Sequence, residues 1–303
     1  MVRRQGSAGS GGVSAAAVAA LIARERLPAT YADMVDRWWR PLAAAIAGWR
    51  SASAGPLVIG LNGAQGSGKS TLCAFLEQVL LPEHGLSAVT LSLDDLYLTR
   101  AARAALAHTV HPLLTTRGVP GTHDIDLGCA ILDALRRGDH VALPRFSKAL
   151  DDRVPPDQWV AAPPSPDLIL FEGWCVGAIP QSAGALVKPI NRLEAEEDID
   201  GIWRGYVNDQ LAGAYVRLFA GLDRFIMLRP PDFASVVENR LLQERKLRAL
   251  QGPGGRVMTD DEVRRFVQHY ERLTRHMFQA LPARADILVA LDSGLDIVRI
   301  DGL

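Results

Sequence analysis

Five short apolar runs punctuate the chain, at Leu57 to Leu61, Ala88 to Leu93, Leu168 to Phe171, Phe225 to Leu228 and Ile287 to Leu291. Each has the length of a strand, and segments with helical spacing of apolar residues separate them. Apolar strands alternating with helices predict an α/β fold: a parallel five-stranded sheet flanked by helices. Before the first run, Met34, Trp38, Leu42, Ile46 and Trp49 recur at helical intervals between about Pro28 and Arg50, which predicts a helical appendage. Trp38, Trp39 and Trp49 are read there as packing residues. Gln5 to Ser14 is rich in Gly, Ser and Ala and is expected to be disordered. The expected organisation is a flexible tail and appendage over 1–55 and a main domain over 56–303. The main domain carries an insert at about 100–166 and a helical lid at about 232–280.

The first strand runs into "NGAQGSGKST", where Gly63, Gly68, Lys69 and Ser70 fit the P-loop pattern G-x-x-x-x-G-K-[ST] in its strand-to-helix setting. Glycines let backbone N–H groups turn inward around phosphate oxygens, and the following helix adds its partial positive charge. The residues expected to wrap a nucleoside triphosphate are Gly63, Ala64, Gln65, Gly66, Ser67, Gly68, Lys69, Ser70 and Thr71. Lys69 is expected to reach the β- and γ-phosphates, and Ser70 to offer its hydroxyl to Mg²⁺.

Ligands of such sheets collect beyond the carboxyl ends of the strands. The second run ends in "LSLDDLYLT" and the third in "LILFEGW", so Asp94, Asp95 and Glu172 are expected to converge on the phosphate loop. A carboxylate there can hold Mg²⁺ through water or accept the proton of an attacking hydroxyl. For Glu172, with Ser70 as metal partner, the sequence leaves both the metal and the acceptor role open. After the fourth strand, "ENRLLQERKLRAL" reads as a helix whose Arg240, Arg245, Lys246 and Arg248 can swing over the nucleotide or form a solvated face. Thr259 and Glu262 stand at capping-box spacing, which makes Asp260 and Asp261 first-turn helix residues.

Between Arg100 and Pro166 the chain supplies His108, His111, Arg117, His123, Asp124, Arg145, Lys148 and Arg153. The histidine spacing fits no zinc pattern. Cations on loops beside a phosphate-transfer site suit a small anionic acceptor.

Composition narrows this without redirecting it. The 303 residues have a formal net charge of −1, 48% hydrophobic and 22% charged residues, which suits a globular chain and gives no sign of a nucleic-acid partner. Cys73, Cys129 and Cys175 are far apart and in apolar settings, and read as reduced thiols of a cytoplasmic protein. The alanine-rich start lacks the leucine-rich middle of a signal peptide and Arg24, Glu25 and Arg26 follow it, so a tail leading into a helix is expected. No run has the length of a membrane span, and nothing calls for an obligate protein partner.

Taken together, these motifs resemble the P-loop small-molecule kinases related to uridine kinase, phosphoribulokinase and pantothenate kinase. Within that group the chain is most similar to the D-glycerate 3-kinase family. "GAQGSGKST" and "SLDDLYLT" are the general parts, with Leu96 where phenylalanine is usual. "RGVPGTHDIDL", "LPRFSKALDDR", "LILFEGWCVG" and "NRLLQERKLR" followed by "MTDDEVRRFVQHY" are the specific ones, spread over roughly Pro56 to Leu291.

The resemblance implies ATP and Mg²⁺ as cofactors and transfer of the γ-phosphoryl group to the 3-hydroxyl of D-glycerate. It implies Asp94 as general base and an acceptor side that includes Arg117, His123, Asp124, Arg145 and Lys148. The expected mechanism adds Lys69 and a lid arginine, Arg240 or Arg245, as catalytic cations, with Asp95, Tyr97 and Glu172 also on the acceptor side. Other readings stay open. A nucleoside or pantothenate-like acceptor is one, although the insert offers only Phe146 and Trp159 for stacking. An ATP-dependent switch is another; a GTP switch lacks its N-K-x-D segment.

Overall fold

The strands owe their positions to burial: every residue of β1 (Leu57–Gly63) and of β3 (Leu168–Gly173) is buried, as expected of strands covered on both faces. In the computed structural model, which describes residues 10–251 and 258–303, these two lie side by side in the interior of a six-stranded sheet. With β2 (Ala88–Ser92), β4 (Arg224–Arg229), β5 (Ile287–Leu291) and β6 (Ile297–Asp301), the order is β6-β5-β4-β1-β3-β2. The five expected strands are all present and mutually parallel. A sixth, β6, adds to β5 in antiparallel sense and was not foreseen, because this edge strand is largely exposed and lacks a continuous apolar run. Leu93, expected to end the second strand, instead opens a 3₁₀ turn over Leu93–Leu96.

Alternation along the strands separates two cores. Leu57, Ile59 and Leu61 of β1 face one way, with Leu168, Leu170, Ile226, Leu228 and Val289. They meet α1 (Ser10–Arg24), α2 (31–51, with a π-helical turn at Val35–Trp39) and α3 (69–83), through Leu21, Trp39, Leu42, Ile46 and Phe75. The expected appendage is therefore built into the main core. Helix α1 begins at Ser10, so Ser10 to Ser14, expected to be disordered, is helical; Gln5 to Gly9 lies outside the described residues.

Val58, Val89, Leu91, Ile169, Phe171 and Met227 face the other way. The insert contributes α4 (Arg100–Thr109) and α5 (Ile125–Arg137), followed by two small ribbons, Phe146–Ser147 with Asp152–Arg153 and Ala142–Leu143 with Val160–Ala161. Next come α6 (Arg192–Glu197), α7 (Ile202–Ala212) and α8 (Ala214–Ala220), then, where a lid was expected, α9 (Phe233–Gln251) and α10 (Asp260–Ala280). The capping box of Thr259 and Glu262 starts α10 as expected. Two nearly buried ion pairs lock this side: Arg204 with Asp198 at 2.8 Å, and Arg272 with Glu194 at 2.6 Å. Among the described residues, no helix is long and apolar enough to cross a membrane.

Candidate active site

At the carboxyl end of β1 the chain must turn sharply, and its glycines make this possible. Gly66 and Gly68 have φ of 81° and 83°, in the left-handed region that side chains disfavour. A Cβ at Gly63 would run into the Ser67 hydroxyl, whereas one at Gly68 would meet nothing within 4 Å. Gly68 is the N-cap of α3 and supplies no side-chain cap, so the first-turn N–H groups have no capping partner there. Such a loop can present amides to phosphate oxygens.

Parallel register places Glu172 of β3 beside Leu61 of β1 and Ser92 of β2, directly under this loop. Its Oε1 accepts from Ser92 Oγ at 2.7 Å and from Ser70 Oγ at 3.2 Å. Its Oε2 is buried without a hydrogen-bond partner, 3.8 Å from Lys69 Nζ. Mg²⁺ takes oxygen ligands and keeps waters and phosphate oxygens in its shell. The hydroxyl of Ser70 and a carboxylate with one orphaned oxygen fit such an ion.

The two aspartates after β2 diverge. Ser92 Oγ accepts from the Asp94 N–H and holds the 3₁₀ turn. Asp94 Oδ1 then accepts from Tyr97 OH at 2.7 Å, and Oδ2 pairs with Lys148 Nζ at 2.8 Å. Burial pushes this carboxyl up, but the charges of Lys148 and Lys69 outweigh it and hold it at about 2. Asp94 is therefore ionised throughout the working pH range, with 30% of its side chain still exposed. Asp95 instead accepts from Phe146 N at 2.9 Å and Arg145 Nη1 at 2.8 Å, which anchors the 146–153 ribbon.

The other expected acceptor-side residues gather around that ribbon. Arg117 pairs with Asp151 and lies over the Phe146 ring, 5.5 Å from its centroid. Asp124 caps α5 by accepting from Leu127 N and also pairs with Arg153, so both its oxygens are engaged in the scaffold. His123, its ring 4.9 Å from that of Tyr97, is hydrogen-bonded through Nδ1 to Tyr215 OH. The Tyr215 hydroxyl also accepts from Gly121 N–H at 3.0 Å, and His123 Nε2 is buried without a hydrogen-bond partner.

The lid arginines separate. Arg240 pairs with Glu244 at 2.6 Å and stands over Phe266, while Arg245 pairs with Asp260 at 2.6 Å near the start of α10. The part of α9 over the phosphate loop is that of Asn239 and Gln243, the nearest groups to a Cβ built at Gly66.

Several site residues were given no role from the sequence, although Ser92, Trp174 and Tyr270 lie inside the motifs quoted above. Ser92 and Tyr215 are two; Arg103 is a third, whose buried guanidinium donates to Leu98 O, Thr115 O and Asp151 O and so ties α4 to the acceptor loops. Tyr270 and Trp174 are two more, joined edge to face at 5.0 Å. Trp174 donates to Gly118 O at 2.7 Å.

Buried histidines give the fold a pH dependence. Burial pushes His123 down to about 3 and His269 down to about 4, so both stay neutral when folded while the unfolded chain binds protons below about 6.5. Each should therefore remove about 1.4 kcal/mol of stability per pH unit as pH falls from about 6 towards its folded value. Asp94 adds no acid sensitivity until the pH falls below the normal carboxylate value, since its folded pKa is depressed. Urea unfolding at pH 7 and pH 5 checks this, and equal stability at the two would show that the histidines are not buried neutral.

No protein-family model matches the chain. It is 35% identical over 226 residues to the uncharacterized kinase mug58 of Schizosaccharomyces pombe, covering 71% of this chain and 78% of that protein. It is 32% identical over 225 residues to the chloroplastic D-glycerate 3-kinase of Arabidopsis thaliana, covering 71% of this chain but 46% of that longer one. Among solved structures, the D-glycerate 3-kinase of Cryptococcus neoformans superposes with a TM-score of 0.70 at 26% identity, over 86% of this chain and 98% of that one. With the phosphate loop, the strand-end carboxylates and these relatives agreeing, the chain belongs to the glycerate 3-kinase-like family of ATP-dependent P-loop kinases.

Proposed function

We propose that the chain transfers the γ-phosphoryl group of ATP to a hydroxyl of a small carboxylate metabolite, with D-glycerate giving 3-phosphoglycerate as the preferred acceptor. The observation that carries this reading is the contact of Asp94 with Lys148 at 2.8 Å beside the phosphate loop. One site thereby offers a carboxylate to a hydroxyl and an ammonium to an acid. Lys148 is 64% exposed, so an acceptor carboxylate can draw it away at little cost. Losing that cation would make Asp94 a better proton acceptor. The names of the plant and Cryptococcus relatives point to the same acid.

Lys69 and the loop amides would hold the β- and γ-phosphates, with Ser70 and Glu172 as the protein ligands of Mg²⁺. That ion, when bound, supplies positive charge against the phosphate oxygens. Phosphoryl transfer proceeds through a loose transition state, so the proton of the attacking hydroxyl leaves late. A strongly ionised Asp94 suits this timing: it orients the hydroxyl first and takes its proton as the new P–O bond forms. Arg240, whose charge acts on Tyr270 while Arg245 is held by Asp260, is the better lid cation, once it leaves Glu244.

A nucleoside acceptor is disfavoured because the aromatic faces here are in use. Phe146 is covered by Arg117 and met edge-on by Tyr97 at 5.1 Å, and Trp159 donates to Val154 O. The test is ADP release from ATP and Mg²⁺ without acceptor and with D-glycerate, L-glycerate, uridine or pantothenate. D-glycerate should raise turnover to about 1–100 s⁻¹, and the others should not. Slow hydrolysis indifferent to all four would sink the glycerate reading and favour an ATP-driven switch.

A further inference from the structure

Tyr270 lies on α10, 5% exposed, at a point where three separate parts of the site meet. Its hydroxyl donates to the carbonyl oxygen of Arg117 at 2.8 Å, at the start of the acceptor loop. On its other side stands the side chain of Gln65, inside the phosphate loop. Its ring packs on Phe266 at 5.2 Å, and Phe266 carries the lid's Arg240 over its face at 6.0 Å.

The loop it grips is stiff. Gly118 has φ of 119°, and a Cβ there would lie 2.6 Å from the Tyr270 hydroxyl, so both the backbone and the packing require glycine. Trp174 holds the same glycine from its carbonyl side. Within the loop, Gly118 N–H donates to Thr122 Oγ1 at 2.9 Å, Thr122 Oγ1 donates to Val119 O at 2.7 Å, and Gly121 N–H donates to Tyr215 OH at 3.0 Å. These bonds make residues 117–123 one unit, with Arg117 at one end and His123 at the other. Whatever moves Gly118 moves both.

We propose that Tyr270 is a positioning residue that couples nucleotide occupancy of the phosphate loop to the acceptor loop, through Gln65 on one side and Arg117 on the other. Burial and the nearby Asp94 carboxylate push its phenol up, so it remains a neutral hydroxyl that donates to Arg117 and leaves its oxygen free to accept from the Gln65 amide when that side chain closes on it. Phosphates drawn into the loop re-seat Gln65, and the shared hydroxyl passes that setting to Gly118. Arg117 and His123 are then fixed relative to the γ-phosphate before the acceptor arrives. Only the identity of the acceptor rests on the function proposed above; the coupling itself does not.

The test uses full-length protein and Tyr270→Phe, which keeps the ring and its packing. Hydrogen–deuterium exchange of the 118–123 amides is followed with and without a non-hydrolysable ATP analogue and Mg²⁺, alongside kinetics with D-glycerate. In the wild type the analogue should slow exchange in this loop by about tenfold, the scale of one net hydrogen bond. In Tyr270→Phe that response should be lost, and KM for D-glycerate should rise by several times more than the Kd for the analogue. A merely structural bond to Arg117 would instead speed exchange equally with and without nucleotide. An undiminished response in the variant, or no response in the wild type, overturns the coupling. A response lost in the variant without any turnover of D-glycerate would uphold the coupling and reject the acceptor.

Discussion

Asp94→Asn should lower kcat by about 10²- to 10⁴-fold, the range expected when a positioned proton acceptor is removed. The Kd for ATP should stay within about threefold, because Asp94 bonds to Tyr97 and Lys148 and to no part of the phosphate loop. The amide has the carboxylate's shape, and its oxygen can still accept from Tyr97. What disappears is the capacity to take the hydroxyl's proton and the ion pair with Lys148. That pair is largely solvent-exposed on the lysine side, so its loss should change stability little. Loss of turnover without loss of folding or nucleotide affinity is thus the signature. Single-turnover measurements with D-glycerate separate chemistry from product release, and near-normal turnover would refute the assignment of Asp94 as base. The pH profile gives a second handle. With its carboxyl held at about 2, Asp94 should impose no acid limb on kcat/KM above about pH 4, so any such limb belongs to another group.

What the sequence revealed of this site and what it hid have a common cause. Asp94, Glu172 and the phosphate loop were legible because parallel strands bring their carboxyl ends together, so a polar residue directly after an apolar run falls at the site by topology alone. The different duties of Asp94 and Asp95 were not legible. Neighbours in a 3₁₀ turn point apart, and only the folded ribbon shows that Asp95 meets Phe146 N and Arg145 while Asp94 meets Lys148. Tyr270 was hidden differently. With Phe266, Leu273 and Met277 it stands at helical spacing, and the pattern reads as core. Its partner Arg117 is 153 positions away, a separation at which no local motif operates. Tyr215 was missed for the same reason, its partner His123 being 92 positions distant, and Ser92, though part of the "SLDDLYLT" motif, received no role because its partner Glu172 is 80 positions away. The edge strand β6 escaped because it has half-exposed alternation and no buried run. Local spacing shows which ends of elements carry chemistry; the residues that aim those ends depend on long-range contacts.

Lys69→Ala is expected to abolish measurable ATP turnover, a loss of at least about 10²- to 10³-fold as for other preorganised donors facing a phosphoryl group. The structure predicts a second effect that would confuse a single variant. Lys69 Nζ is the cation facing Glu172 Oε2, which is otherwise without a hydrogen-bond partner, and the carboxylate is only 6% exposed. Removing the ammonium leaves a buried charge uncompensated, a cost of about 1–3 kcal/mol given the 3.8 Å separation and the two serines that still hold Oε1. Lys69→Ala should therefore unfold at lower temperature as well as lose activity, and lost activity alone would not say why. Adding Glu172→Gln separates the two. The neutral amide keeps the side chain's size and no longer needs the cation, so thermal stability should return towards the wild-type value. Turnover should remain lost, since neither the ammonium proposed to hold phosphate nor the carboxylate proposed to hold the metal is present. Recovery of turnover together with stability would mean that Lys69 serves only to balance Glu172, and would overturn its placement on the β- and γ-phosphates.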